Sequence, residues 1–273
     1  AGGMERVMSE LAGYMSSDDE NEIHLILYDS TREIFYPVAG SVTVHLPNFP
    51  FNHRWKISST LRTIFFIRRT VARINPIALL SFGELWNSFV MISLVGLKVP
   101  VYISDRCSPV KRFNRMQTVL RRLLYPRSKG IIVQTALAKD IYAKQFRHRN
   151  IKVIGNPIRS IASTGENREN IVLTVGRFIK SKHHDRLIEL FTDIELNGWK
   201  LILIGYDHLG QSNSNLLQKI IDNKFANEKV LLLGKQTDVD HYYRQSKIFA
   251  FTSESEGFPN VIGEAMSAGL PVV

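Results

Sequence analysis

The sequence predicts an α/β protein of two Rossmann-like domains with parallel sheets. Three observations predict it. From Asn170 onward, apolar runs of strand length alternate with segments of helical period. The runs Ile171-Val172-Leu173-Thr174-Val175 and Leu201-Ile202-Leu203-Ile204 are continuous, as strands covered on both faces of a parallel sheet are. The first half repeats the alternation less cleanly, and a stretch rich in Ser, Asn, Gly and Glu over 156–170 reads as a linker. Strand–helix alternation gives parallel strands joined by right-handed crossovers. The 273 residues suffice for two such domains, placed at 1–157 and 158–273.

In chain order, Gly2-Gly3 leads into a helix over 4–15, followed by strands over 23–28 and 42–45. A long helix covers 54–74, where Ile57, Leu61, Ile64, Phe65, Val71 and Ile74 recur at helical spacing. Strands over 77–82, 99–104, 130–135 and 151–154 then alternate with helices over 86–95, 111–124 and 136–146. In the second half the strands are 171–176, 200–205, 229–234 and 248–253, and the helices 185–196, 213–223 and 239–245. A tight loop over 253–259 opens a short helix at Asn260, which Gly269 and Pro271 stop. The chain enters its first helix without a preceding apolar strand and stops within one, which reads as a fragment of a longer fold.

The formal net charge of +10 favours anionic partners: nucleoside diphosphates, anionic lipid or nucleic acid. Nucleic acid ranks last, because no recognised binding motif accompanies the charge. No uncharged apolar run reaches the length of a membrane span. The lone Cys107 excludes an internal disulfide and fits a reducing compartment. Arg62, Arg68, Arg69 and Arg73 interleave with the stripe of the long helix, and a second basic run holds Lys111, Arg112, Arg115, Arg121, Arg122 and Arg127. Such basic amphipathic helices either pack on a sheet with their arginines in solvent or lie on an anionic membrane surface.

The most informative segment is 253–273. Glu256 stands on the loop, and Glu264 sits about one turn inside the helix. A helix N-terminus gathers unpaired N–H groups and partial positive charge, so it attracts phosphate. A rise of about 1.5 Å per residue puts Glu264 roughly 6 Å along the axis from Asn260. A diphosphate at the helix mouth would then have one acid towards each end.

This segment resembles the donor site of the retaining GT-B glycosyltransferases of family 4, which carry Glu, seven residues, Glu, with Gly-Phe-Pro after the first acid. The resemblance implies that Glu256 contacts the transferred sugar and that Glu264 holds the ribose hydroxyls, with Gly257, Phe258, Pro259 and Asn260 lining the donor. The loop Val175-Gly176-Arg177-Phe178-Ile179-Lys180-Ser181-Lys182 is similar to the family's Gly-Arg-Leu-then-Lys loop, implying that Arg177 and Lys182 meet the donor diphosphate. A guanidinium offers a planar fork for phosphate and an ammonium a mobile point charge. The family has Gly after that Lys, whereas His183 stands here. Leu233-Gly234-Lys235 resembles the turn that reads the nucleotide base, and Gly2-Gly3-Met4-Glu5-Arg6 the N-terminal donor loop. The implied fold is GT-B, two such domains facing across a cleft. The implied activity is retaining, metal-independent transfer from a nucleoside diphosphate sugar, taken as a UDP-sugar, to a glycan or lipid-linked acceptor. The implied place is the cytoplasm or the cytoplasmic face of the plasma membrane. A GT-B epimerase or phosphorylase, and a non-catalytic GT-B-like binding protein, remain open.

Asp105 and Arg106 end a strand of the first half, either as acceptor contacts or as a structural pair. Asp238-Val239-Asp240 precedes a helix and reads as a cap, not a metal motif, and no metal site is expected.

Overall fold

The computed structural model describes residues 3–31, 34–162, 165, 167–207 and 211–273. Two compact units emerge, Ala1–Pro157 and Ile158–Val273.

In the first unit, α1 (Gly3–Met15) precedes β1 (His24–Ile26) and β2 (Thr43–His45), which pair in parallel. Next come α2 (Lys56–Ile74), β3 (Leu79–Phe82), α3 (Asn87–Ser93), β4 (Val101–Ser104), α4 (Arg115–Leu124), β5 (Gly130–Val133), α5 (Ala136–Phe146) and β6 (Ile151–Val153). Strands β3-β4-β5-β6 form a parallel sheet in that order. Side chains fix the helix starts: Asn114 Oδ1 accepts from Gln117 N–H at 2.8 Å, and Thr135 Oγ1 from Ala138 N–H at 3.1 Å. Ile103, Ile131, Val133, Tyr142 and Phe146 build the main core. Helix α2 buries Ile67 and Val71 against α3 but leaves Ile57, Leu61 and Phe65 exposed. The apolar stripe is therefore split, one part packed and one part in solvent.

The second unit runs β7 (Ile171–Val175), α6 (His184–Asp193), β8 (Lys200–Ile204), α7 (Asn213–Asn223), β9 (Val230–Leu233), α8 (Val239–Gln245), β10 (Ile248–Phe249) and α9 (Asn260–Ser267). The strands are parallel in the order β10-β7-β8-β9, and Val272 bridges to Phe249 beside the sheet. Alternate residues of β8 feed two cores. Leu201 and Leu203 meet Leu187, Ile188 and Ile221, while Ile202 and Ile204 meet Tyr243, Ala265 and Leu270. Covering both faces is what the continuous apolar runs require. Each such side chain contributes about 1.5–3 kcal/mol on full burial.

Two features set the carboxyl ends of these strands, where open α/β sheets place their ligands. The turn after β8 passes so close to that after β7 that a Cβ on Gly205 would overlap the Gly176 carbonyl oxygen. The boundary between the units falls within the stretch expected as a linker, and described residues of that stretch pack on the second unit. Ile161 is buried there, and the Arg168 guanidinium donates to Ser246 O at 2.7 Å and Tyr243 O at 3.2 Å.

Candidate active site

After β7 the chain turns at Gly176 and Arg177, makes a 3-10 turn over Lys180–Lys182, and enters α6 through His183. His183 adopts the left-handed conformation at φ 50, which a glycine would take without strain. The loop that follows β10 is stitched onto this turn. Glu254 N–H donates to Ser181 O at 2.9 Å, and Thr252 Oγ1 to Lys182 O at 2.7 Å. This stitching brings the Lys182 ammonium onto the Glu256 carboxylate, which also accepts from Ser253 Oγ at 2.7 Å. Arg177 lies on the same turn, exposed, and forms no ion pair among the described residues. His184 is buried behind Gly176 and edge-on to Phe178, and burial pulls its imidazole down to about 4. It is neutral at pH 7, so the positive charge of the turn comes from Arg177, Lys180 and Lys182.

Helix α9 starts at Asn260 with no side-chain cap from Pro259. One turn in, Glu264 is buried at 3% exposure. A buried carboxylate needs donors, and this one has them. Tyr243 Oη donates to Glu264 Oε2 at 3.1 Å, and Arg159 Nε stands 3.9 Å from Oε1 while its Nη2 meets Asp240 at 2.6 Å. Gly257, Phe258, Pro259 and Asn260, all half-buried, form the span between the two acids. The structure thus joins Lys182 to Glu256 directly, sets Arg177 on the same turn, and places Glu264 further along α9 with partners of its own. Lys235 is exposed just beyond β9. Gly3 begins α1 in the first unit, and Gly2 lies outside the described residues. Tyr243 and Arg159 were not legible as site residues, because their distance along the chain from Glu264 follows no motif.

Asp238 caps α8 through His241 N–H at 3.1 Å, and among the described residues no group of three or more His, Cys, Asp or Glu is placed to hold a metal ion.

In the first unit, Asp105 and Arg106 part ways. The Asp105 carboxylate is buried at 3% exposure and accepts from Asn87 Nδ2 at 2.7 Å, Tyr125 Oη at 2.8 Å, Tyr142 Oη at 2.7 Å and Arg121 Nη2 at 2.5 Å. Arg121, read in the sequence as one of a surface basic run, is in fact the buried counter-ion of this cage. With four donors around it, Asp105 offers nothing to a ligand. Arg106 turns the other way, to Asn156 and the face of Phe82.

Comparison with known proteins agrees with the fold. Residues 1–160 match the family model described as Glycosyltransferase Family 4, and residues 159–273 the model described as Glycosyl transferases group 1. The chain is 26% identical over its full length to the amylovoran biosynthesis glycosyltransferase AmsD of Erwinia amylovora, covering 77% of it. It is 27% identical, over 97% of its length and 74% of the relative, to a Campylobacter jejuni α-1,4-N-acetyl-D-galactosaminyltransferase whose name specifies a PP-undecaprenol-linked saccharide. Among solved structures, Anabaena Alr3699/HepE in complex with UDP-glucose superposes with a TM-score of 0.76 at 17% identity, covering 100% of this chain and 76% of that one. The fold is that of the GT-B glycosyltransferases, and the chain belongs to glycosyltransferase family 4.

Proposed function

We propose that this glycosyltransferase moves a sugar, with retention of anomeric configuration, from a UDP-sugar to an acceptor hydroxyl in bacterial surface polysaccharide or lipid-linked oligosaccharide synthesis. The observation that carries this reading is the Lys182–Glu256 pair held beside the Arg177 turn at the carboxyl end of the second sheet. As the bond from the anomeric carbon to the diphosphate breaks, negative charge grows on the departing oxygen. Arg177 and Lys182 are the cations to stabilise it, and no metal ion is needed for that task. Glu256 then takes hydrogen bonds from the sugar hydroxyls, and Glu264 from the ribose hydroxyls. In a front-face displacement the acceptor oxygen bonds to the anomeric carbon on the side the diphosphate leaves. The acceptor proton passes to that leaving group. The UDP-glucose bound to HepE and the PP-undecaprenol acceptor named for the Campylobacter relative support the choice of donor and acceptor class.

The test is kinetic. Glu256→Ala and Arg177→Ala should each lower kcat at least about a hundredfold, the loss typical of one transition-state donor. Glu264→Ala should mainly weaken nucleotide binding. Near-normal turnover in the first two removes the assignment. Sugar rearrangement or release without an acceptor would instead favour an epimerase or phosphorylase.

A peripheral position on the cytoplasmic face of the membrane completes the reading. Residues 1–157 hold 22 Lys and Arg against 11 Asp and Glu, and residues 158–273 hold 13 against 14. The first unit therefore carries a net +11 and the second −1. There α2 exposes Ile57, Leu61 and Phe65 beside Arg62 and Arg69, and α4 exposes Met116, Val119 and Leu123 beside Arg115 and Arg122. Apolar stripes flanked by arginine suit an anionic lipid surface. No helix among the described residues is long and apolar enough to cross a membrane.

A further inference from the structure

We propose that Arg106, backed by Asn156 and Gln134, forms a phosphate-binding site of the first unit that takes a phosphate or diphosphate carried by the acceptor. Three of these positions follow the carboxyl ends of successive parallel strands: Arg106 after β4, Gln134 after β5 and Asn156 after β6. Phe82, the last residue of β3, supplies the ring beneath the guanidinium, whose Cζ is 4.9 Å from the centroid. Ligands of parallel sheets sit outside these ends.

The charge on Arg106 is what asks for an anion. Its Nη1 donates to Asn156 Oδ1, a neutral amide that also accepts from Gln134 Nε2 at 2.6 Å. Its Nε is buried and makes no hydrogen bond, and no carboxylate among the described residues pairs with it. Arg121 in the same unit shows the alternative, a buried guanidinium with Asp105 at 2.5 Å. Burial pulls Arg106 down to about 10, so it stays charged at neutral pH without a counter-ion. A planar fork of donors with no acid opposite matches phosphate.

The site rests on the proposed transfer only for assigning the phosphate to the acceptor and not the donor. Calorimetric titration of the full-length enzyme separates the two. UDP binding is scored first, then inorganic pyrophosphate is added at saturating UDP. The expected result is that pyrophosphate still binds, that Arg106→Gln weakens it at least tenfold, that Arg106→Lys weakens it less, and that Arg177→Ala leaves it unchanged. Thermal melts establish that each variant is folded, and Asn156→Ala replaces any that is not, with the same expected weakening. Pyrophosphate binding abolished by UDP, or unaffected by Arg106→Gln and Asn156→Ala, overturns the site. Failure of UDP itself to bind would instead count against the donor reading, and the Arg106 comparison would still decide this one.

Discussion

Two buried or half-buried arginines of the first unit are kept in opposite ways. Arg121 has a carboxylate, two phenols nearby and the faces of Phe113 and Phe146 around it. Arg106 has an amide and one ring. Removing Asp105 would leave the Arg121 charge buried and uncompensated. Breaking such a pair costs about 3–5 kcal/mol. Asp105→Ala should therefore lower the unfolding free energy, read from denaturant melts, by an amount of that order. If Asp105 were an acceptor contact, the variant would keep its stability and lose only acceptor affinity.

The turn after β8 depends on glycine for room, not for a left-handed backbone. Because a Cβ at Gly205 would meet the Gly176 carbonyl, Gly205→Ala must push one turn off the other. The expected cost is at or above the upper end of about 1–3 kcal/mol for overpacking. Because the displaced turn carries Arg177, kcat should fall as well, with unfolding and steady-state assays reading the two effects. This pair of turns also shows what was legible in the sequence. The strands were, because burial on both faces leaves an uninterrupted apolar run, as in 171–175 and 201–204. Their ends were less so. The strand expected over 248–253 is assigned only at Ile248–Phe249; Ala250 N–H still donates to Leu173 O at 2.8 Å and Phe251 N–H to Val273 O at 2.8 Å, and from Thr252 the chain joins the 181–182 turn. Helix α2 was placed correctly, yet period alone could not say which apolar residues would be covered, since it has more of them than one face can bury. In the site, acids and cations on contiguous motifs were visible. The Tyr243 and Arg159 support of Glu264 was not, because it exists only once α8 and the chain at Arg159 pack beside α9.

Taken whole, the molecule keeps its net positive charge in the first unit, which also exposes apolar side chains of α2 and α4. Co-sedimentation of the full-length chain with vesicles should show binding at about one-third phosphatidylglycerol and little on pure phosphatidylcholine, with the bound fraction falling as salt rises. Substituting Glu for Leu61 and Phe65 together, both on the exposed side of α2, should abolish it while leaving turnover on a soluble acceptor intact. Equal binding to neutral vesicles, or none to either, would remove the proposed membrane face. The uneven division of charge acts before any contact is made. An anionic plane pulls on a half with a net charge of +11 and barely acts on one with −1, which is a torque as well as an attraction. Within a Debye length of about 8 Å at physiological salt, the chain would already be turned basic half first.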